Sequence, residues 1–383
     1  MENNSLTIGF DAKRALHNGT GLGNYSRYVI DTLSAECPDI NLRLYGHAKD
    51  TGRIDSLLQR PSVSLCQPAS GISKLFPSLW RSRGVTSQAA ADGVSLYHGL
   101  SNELPLNIAS AMPSVVTVHD VIWRRCPSDY SAIDRRIYDY KYGRSARNAT
   151  RVIAISECTA RDIVSDFGVD PTRISIVYQG IDPSFQPATP DERARVMAQY
   201  ALPERFIIGV GTVQARKNQL LAVKALTDLP EDVAIVIVGR RTQYAEQIET
   251  YAHKNGLADR IIWLGNVPFR DLPALYSAAC LASYPSVYEG FGLPIVEALA
   301  CGTPVIAAKG SCLEEAGGPG AVYVDADDAG AFAANARMLL NNNALRRSMV
   351  EAGRKHIARF NRHDFARKTL EVYHRAIEEF NHR

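Results

Sequence analysis

Three observations predict an α/β protein built from two doubly wound, mostly parallel sheets. Short apolar, β-branched runs alternate with longer amphipathic stretches along most of the chain. Many of these runs are continuously apolar rather than alternating, as strands covered on both faces are. A turn-rich stretch, Gly180-Ile-Asp-Pro-Ser-Phe-Gln-Pro-Ala-Thr-Pro190, separates two complete series of such units near the middle of the chain.

In chain order, the first series places strands at Leu6–Phe10, Leu42–Tyr45, Val94–Tyr97, Val115–Val118, Arg151–Ile155 and Ile174–Tyr178. The second places them at Phe206–Val210, Val233–Val238, Ile261–Leu264, Leu281–Tyr284, Pro304–Ala307 and Ala321–Val324. Helical stretches between them imply β-α-β units and parallel pairing. Asp364 to Phe380 carries Phe365, Leu370, Val372, Tyr373, Ile377 and Phe380 among charges, the pattern of an amphipathic closing helix. The expected domains are residues 1–183, residues 184–360, and a terminal helix at 361–383 packing back towards the first domain. Two such sheets are expected to face each other across a cleft lined by strand carboxyl ends, where ligands bind in open α/β folds.

Composition narrows the class. The 383 residues suffice for two or three domains, and 46% hydrophobic with 22% charged excludes disorder as the main state. A formal net charge of +3 gives no argument for a nucleic-acid partner. The longest apolar runs, such as Phe206 to Val213, fall short of the roughly 18 residues a spanning helix needs. Met1-Glu2-Asn3-Asn4 lacks the basic flank of a secretory signal. The cysteines Cys37, Cys66, Cys126, Cys158, Cys280, Cys301 and Cys312 form no C-x-x-C pair and read as reduced thiols. A cytoplasmic protein is expected.

Four motifs fall at strand carboxyl ends. Gly19-Thr20-Gly21-Leu22-Gly23 opens a helix after the first strand, where glycines let the backbone approach a phosphate. Its spacing is not the G-x-G-x-x-G of a nicotinamide site, and a tight ligand-free loop is the plain alternative. His119-Asp120 follows the strand ending at Val118, placing a proton-carrying ring at the crevice. The alternative is a structural histidine with its aspartate capping a turn. Arg216-Lys217-Asn218 follows strand and glycine turn, where two cations would meet a diphosphate. A solvated surface pair is the other reading. The longest motif runs from Tyr284 to Pro304, with Glu289 and Glu297 flanking Gly290-Phe291-Gly292-Leu293 and Pro294 suited to a first helical turn. A helix start there would meet an anion, and Glu297, about one turn inside, would accept vicinal hydroxyls. Asp325-Ala-Asp327-Asp328 has the D-x-D spacing of a metal site but precedes a helix, where acids cap. No metal is expected.

These motifs, in this order, resemble the retaining glycosyltransferases of family 4, with the two-domain GT-B fold. The E-x7-E of Glu289 and Glu297 is the most specific element. The resemblance implies that Glu289 contacts the transferred sugar and Gly290, Phe291, Gly292 and Leu293 meet sugar and phosphate. It puts Glu297 on ribose hydroxyls, Lys217 with Arg216 on the diphosphate, and His119, beside Asp120, at the reacting centre. Gly21, beside Gly23, approaches the phosphate from the first domain, and Val267 meets the base through its backbone. Gln214-Ala215 stands where many members carry Glu-Pro, and Thr212 where others carry Arg.

The implied reaction moves a hexose from a nucleotide sugar with retention and without a metal or other cofactor. Bacterial enzymes using GDP-mannose are the nearest pattern. Donors carrying UDP-glucose or UDP-N-acetylglucosamine share much of it, and an epimerase or a catalytically silent nucleotide-sugar binder remains a further alternative. The acceptor would be a glycan or lipid-linked oligosaccharide in surface polysaccharide synthesis. The apolar and basic Lys74–Arg83 stretch, and eight Arg/Lys from Arg124 to Arg151, suit an anionic membrane surface on the cytoplasmic side. A solvated helix face explains the basic run equally well.

Overall fold

The computed structural model describes residues 6–47, 51–68, 71 and 75–382; Met1 to Asn4 and Lys74 lie outside them. The chain forms two compact units. The first comprises Met1–Trp123, Tyr130–Gly180 and Phe360–Arg383, and the second Arg124–Asp129 and Ile181–Arg359. The chain passes between units at Gly180, the start of the turn-rich stretch, and again before Phe360. Arg124–Asp129, placed by the sequence reading in the first domain, groups with the second unit. That segment carries Pro127 and no large apolar side chain that would anchor it in the first core.

The first unit holds seven parallel strands: β1 (Thr7–Asp11), β2 (Asn41–Tyr45), β3 (Val63–Cys66), β4 (Leu96–Gly99), β5 (Ser114–Val118), β6 (Arg151–Ala154) and β7 (Ile174–Ile176). Their order is β3-β2-β1-β4-β5-β6-β7. The second holds β8 (Arg205–Val210), β9 (Val233–Val238), β10 (Ile261–Leu264), β11 (Leu281–Tyr284), β12 (Val305–Ala308) and β13 (Ala321–Val324), ordered β10-β9-β8-β11-β12-β13. Both sheets are doubly wound, and each reverses direction beside its first strand, at β1/β4 and at β8/β11. These are the switch points where such sheets bind ligands.

Burial explains the strand assignments. All five residues of β5 and all six of β9 are buried, the pattern of a central strand with helices on both faces. β3 is the strand the sequence reading omits. It is a four-residue edge strand with Ser64 exposed, so no continuous apolar run announces it. The expected Val94–Tyr97 strand is displaced to Leu96–Gly99, because His98 pairs with Phe10 of β1 and Val115 of β5.

The closing helix spans Arg362–Asn381 and buries Phe365, Val372, Tyr373 and Ala376 in the first unit. Phe365 packs edge-on to Tyr25 and Tyr28. The Tyr373 hydroxyl lies 2.7 Å from His98 Nδ1, and Arg151 pairs with Glu379. Arg362 pairs with Asp31 at 2.7 Å. The helix therefore covers β4 to β6 with both apolar and polar contacts. Among the described residues no helix is long and apolar enough to cross a membrane.

Candidate active site

In the first unit the expected residues follow β1 and β5. Asn18 Oδ1 accepts from the Thr20 amide and hydroxyl, both at 2.7 Å, and this turn starts the Gly21–Glu36 helix. No side chain caps that helix, so its first amides stay available to an anion. The two glycines differ. A methyl group on Gly21 would meet nothing within 4 Å, whereas one on Gly23 would lie 1.8 Å from the Asn18 carbonyl oxygen. Gly23 is thus demanded by packing within the fold, while Gly21 lines open space.

His119 follows β5 and is buried. Its Nε2 donates to the Leu100 carbonyl at 2.9 Å, and its amide donates to Asn102 Oδ1 at 2.8 Å. Tyr25 stands edge-on to its ring at 4.5 Å. Burial pulls its pKa down to about 4 against the pull of the Leu100 carbonyl, so the ring is neutral near pH 7. With the proton fixed on Nε2, Nδ1 carries the lone pair and accepts. Asp120 takes the capping role instead, its Oδ1 accepting from the Ile122 amide at 3.1 Å.

Sequence reasoning missed two features here. Asn102, held with φ +64 and donating its amide to the Thr117 carbonyl, orients the His119 backbone. At the end of β1, Asp11 accepts from Arg81 Nε at 2.7 Å, and Arg81 Nη2 donates to Glu103 at 2.6 Å. The only local signal for the latter is an acid directly after an apolar strand.

In the second unit the loop after β8 and the loop after β11 are sewn together. Gly211 adopts φ +141, and Ala215–Lys217 form a 3-10 turn closed by Asn218 at φ +54. Asn218 Nδ2 donates to the carbonyls of Pro285 and Ala326 at 3.2 and 2.6 Å. The Val287 amide donates to the Arg216 carbonyl at 2.9 Å. The cations are therefore held in a shared frame rather than on a free surface.

That frame brings both to Glu289. Lys217 Nζ lies 2.6 Å and Arg216 Nη1 2.7 Å from the same oxygen, Oε1. Both contacts are ion pairs. Arg216 Nη1 also donates to the Tyr288 carbonyl at 2.8 Å, and Lys217 Nζ donates to the Tyr284 hydroxyl at 2.7 Å. Burial opposes ionisation of Glu289, but Lys217 and Arg216 outweigh it and hold its carboxyl below the usual range. Burial lowers the Lys217 pKa, and Glu289 pushes it back up. Cys312 Sγ donates to the Glu289 carbonyl at 3.2 Å, a support the sequence reading did not single out.

Beyond Glu289 the chain enters the Leu293–Ala300 helix through Gly292, whose φ of +103 suits glycine. Gly290 and Phe291 are buried in the loop, Pro294 occupies the first turn, and no side chain caps the helix. Glu297 lies one turn inside, its Oε2 accepting from the Tyr276 hydroxyl at 3.2 Å. Burial pushes its pKa up to about 7. Val267 sits in the loop after β10 at the same carboxyl edge. Of the acids in the D-x-D stretch, Asp328 caps the Ala329–Asn341 helix and Asp325 pairs with Lys309.

Comparisons with known proteins speak to the family and the fold. The family model "Glycosyl transferases group 1" matches residues 192–356, and "Glycosyltransferase Family 4" matches residues 41–185. The O-antigen chain mannosyltransferase B of Escherichia coli is 28% identical over 379 residues, covering 92% of this chain and 96% of that protein. A D-inositol 3-phosphate glycosyltransferase of Salinispora arenicola is 33% identical over 251 residues, 61% of this chain and 56% of that one. Among solved structures, Anabaena HepE in complex with UDP and glucose superposes with a TM-score of 0.76 at 20% identity, covering 96% of this chain and 99% of that chain. Sucrose-phosphate synthase from Thermosynechococcus elongatus gives 0.77 at 22% identity, covering 96% and 98%. At those identities the structures speak to the fold alone. With both halves matched in this order by glycosyltransferase models, the chain belongs to the family 4 type of glycosyltransferases and carries their GT-B fold.

Proposed function

We propose that this glycosyltransferase moves mannose from GDP-mannose, with retention, to a hydroxyl of a glycan or lipid-linked acceptor in surface polysaccharide synthesis. The observation that carries the reading is the convergence of Arg216 and Lys217 on one buried carboxylate oxygen beside an uncapped helix start. Cations already placed for an anion lower the barrier to diphosphate departure, because they need no reorganisation as charge grows. In this reading no divalent metal is needed. Glu289 meets the sugar once the diphosphate has taken its cations, and Glu297 accepts from the ribose hydroxyls. The acceptor hydroxyl attacks from the face the diphosphate leaves and gives its proton to a phosphate oxygen. Mannose is favoured because the relative matched along nearly its full length is a mannosyltransferase.

In the first unit, His119 Nδ1 acts in this proposal as an acceptor for a sugar hydroxyl, and the Gly21 amides meet an anion. Peripheral attachment to the inner face of the cytoplasmic membrane is supported by exposed apolar side chains among cations. Leu75, Phe76 and Leu79 are exposed near Arg83. Ile133, Ile137 and Tyr140 recur at helical spacing on the Ala132–Asn148 helix, which also carries exposed Arg136 and Lys141. Arg151, counted in the basic run, is not part of that face, since it is buried against Glu379.

Purified enzyme incubated with GDP- and UDP-sugars in EDTA tests the reading. GDP release from GDP-mannose that survives EDTA and is lost in Glu289→Ala and Lys217→Ala is expected. UDP release instead transfers the site to a UDP-hexose. Sensitivity to EDTA would remove the metal-independent mechanism. Salt-sensitive sedimentation with phosphatidylglycerol vesicles tests the membrane surface, and its absence would discard it.

A further inference from the structure

At the opposite, amino-terminal edge of the second sheet lies a concavity of about 600 Å³. Its floor is formed by Ser277–Cys280, which enter β11, and by Gly302 and Pro304 before β12. Arg193, Arg346, Arg347, Arg354 and Lys355 line it, against a single acid, Glu351. Five cations to one carboxylate is a strong concentration in a chain whose net charge is only +3.

Two of the cations have structural work. Lys355 pairs with Glu351 at 2.7 Å, and Arg346 Nη1 donates to the Leu339 and Leu340 carbonyls at 2.7 and 3.0 Å. Arg193, Arg347 and Arg354 have no hydrogen-bond or ion-pair partner for their guanidinium groups among the described residues. Arg354 lies in the last turn of the Asn343–Ile357 helix, where the helix dipole favours a cation. Arg193 and Arg347 lie near the starts of the Pro190–Gln199 and Asn343–Ile357 helices, where it opposes one. Helix electrostatics therefore do not account for them. Gly302, at φ +85, ends the Leu293–Ala300 helix at this floor, and a methyl group there would lie 3.0 Å from Arg354 Nη2, which places that guanidinium beside the floor.

We propose that this cavity binds a small soluble molecule carrying two or more phosphate groups. Unpaired guanidinium forks match phosphate oxygens two at a time, and the volume suits a small ligand rather than a lone ion. The inference stands apart from the donor reading, because none of these residues belongs to the carboxyl-edge site.

Pyrophosphate titrated into the full chain carrying Lys217→Ala, which weakens the donor site by removing one of its two cations, provides the test by calorimetry. The expected result is saturable binding, weakened at least tenfold by adding Arg347→Ala and Arg354→Ala, and likewise by Arg193→Glu alone. In the Lys217 wild-type background, both sets should keep donor hydrolysis and melting temperature, which confirms folding. No pyrophosphate binding to Lys217→Ala, or binding unchanged by either set, overturns the proposal. So does loss of binding to phosphatidylglycerol vesicles in these variants without any pyrophosphate binding, which would assign the cations to a lipid surface.

Discussion

Glu289 Oε1 lies 2.6 Å from Lys217 Nζ, and with Arg216 at 2.7 Å the carboxylate sits where a leaving diphosphate would draw the same charges. In the proposed reading the carboxylate and a bound nucleotide therefore compete for two cations. Glu289→Gln should bind free GDP more tightly, by about tenfold or about 1.4 kcal/mol. Its transfer rate should fall by about 100-fold or more, as when a group that meets the transition state is removed. Calorimetry against initial rates separates the two. Weaker GDP binding in this variant would refute the competition.

If Glu297 meets the donor as proposed, it gives the donor site a pH dependence. With its pKa raised to about 7, the carboxyl loses its charge as pH falls from 8 to 6. An ionised carboxylate is the better acceptor for hydroxyls, so donor Kd should rise over that interval. Glu297→Gln should flatten the profile while weakening binding at pH 8. The same shift has the opposite sign for folding. The native state holds this proton where the unfolded chain has lost it, so stability falls as pH rises from about 4.5 through 7.

Buried imidazoles act on the first unit from the acid side. His98 is held to about 3 and His119 to about 4, mainly by burial, against an ordinary value of 6.5. The unfolded chain binds these protons more readily, so their contribution is complete above about pH 6.5 and is lost as pH falls towards 4. Denaturation midpoints between pH 7 and 4 should fall less steeply in His98→Gln.

Tyr373→Phe removes the hydroxyl that meets His98 Nδ1 in a fully buried site. The orphaned ring nitrogen should cost about 1–3 kcal/mol, read as a lower urea midpoint with an unchanged slope. An unchanged midpoint would mean that this hydrogen bond contributes nothing to holding the terminal helix.

The two loop glycines should separate folding from binding. Gly23→Ala drives a methyl group into the Asn18 carbonyl and should destabilise by about 1–3 kcal/mol or more. Gly21→Ala meets nothing and should leave the melting temperature unchanged or slightly raised. If Gly21 approaches phosphate as proposed, the same variant should lose affinity for the anionic ligand.

What the sequence revealed, and what it concealed, follows from range. β9 was legible because six successive apolar residues have few other uses, and Glu289 and Glu297 because a loop and one helical turn separate them. The Glu289–Lys217 contact was not, since it depends on two loops meeting at the switch point. Asn102 escaped because its bond to His119 crosses from β4 to β5. Gly23 looked like part of a ligand loop because its clash lies with a backbone atom, which no pattern of side chains encodes. The basic cavity was hidden for the same reason: Arg193 and Arg347 come from distant helices and meet only over the sheet edge.

The first unit is assembled from pieces at both ends of the chain, since Phe360–Arg383 completes it. A ribosome therefore delivers the whole continuous stretch Ile181–Arg359 before it delivers the helix that covers β4 to β6. The portion made first is finished last. Until Tyr373 arrives, His98 Nδ1 lacks its partner and the apolar surface beneath Phe365 and Val372 stays open to water. The growing chain thus depends longest on protection from aggregation in the part it began with.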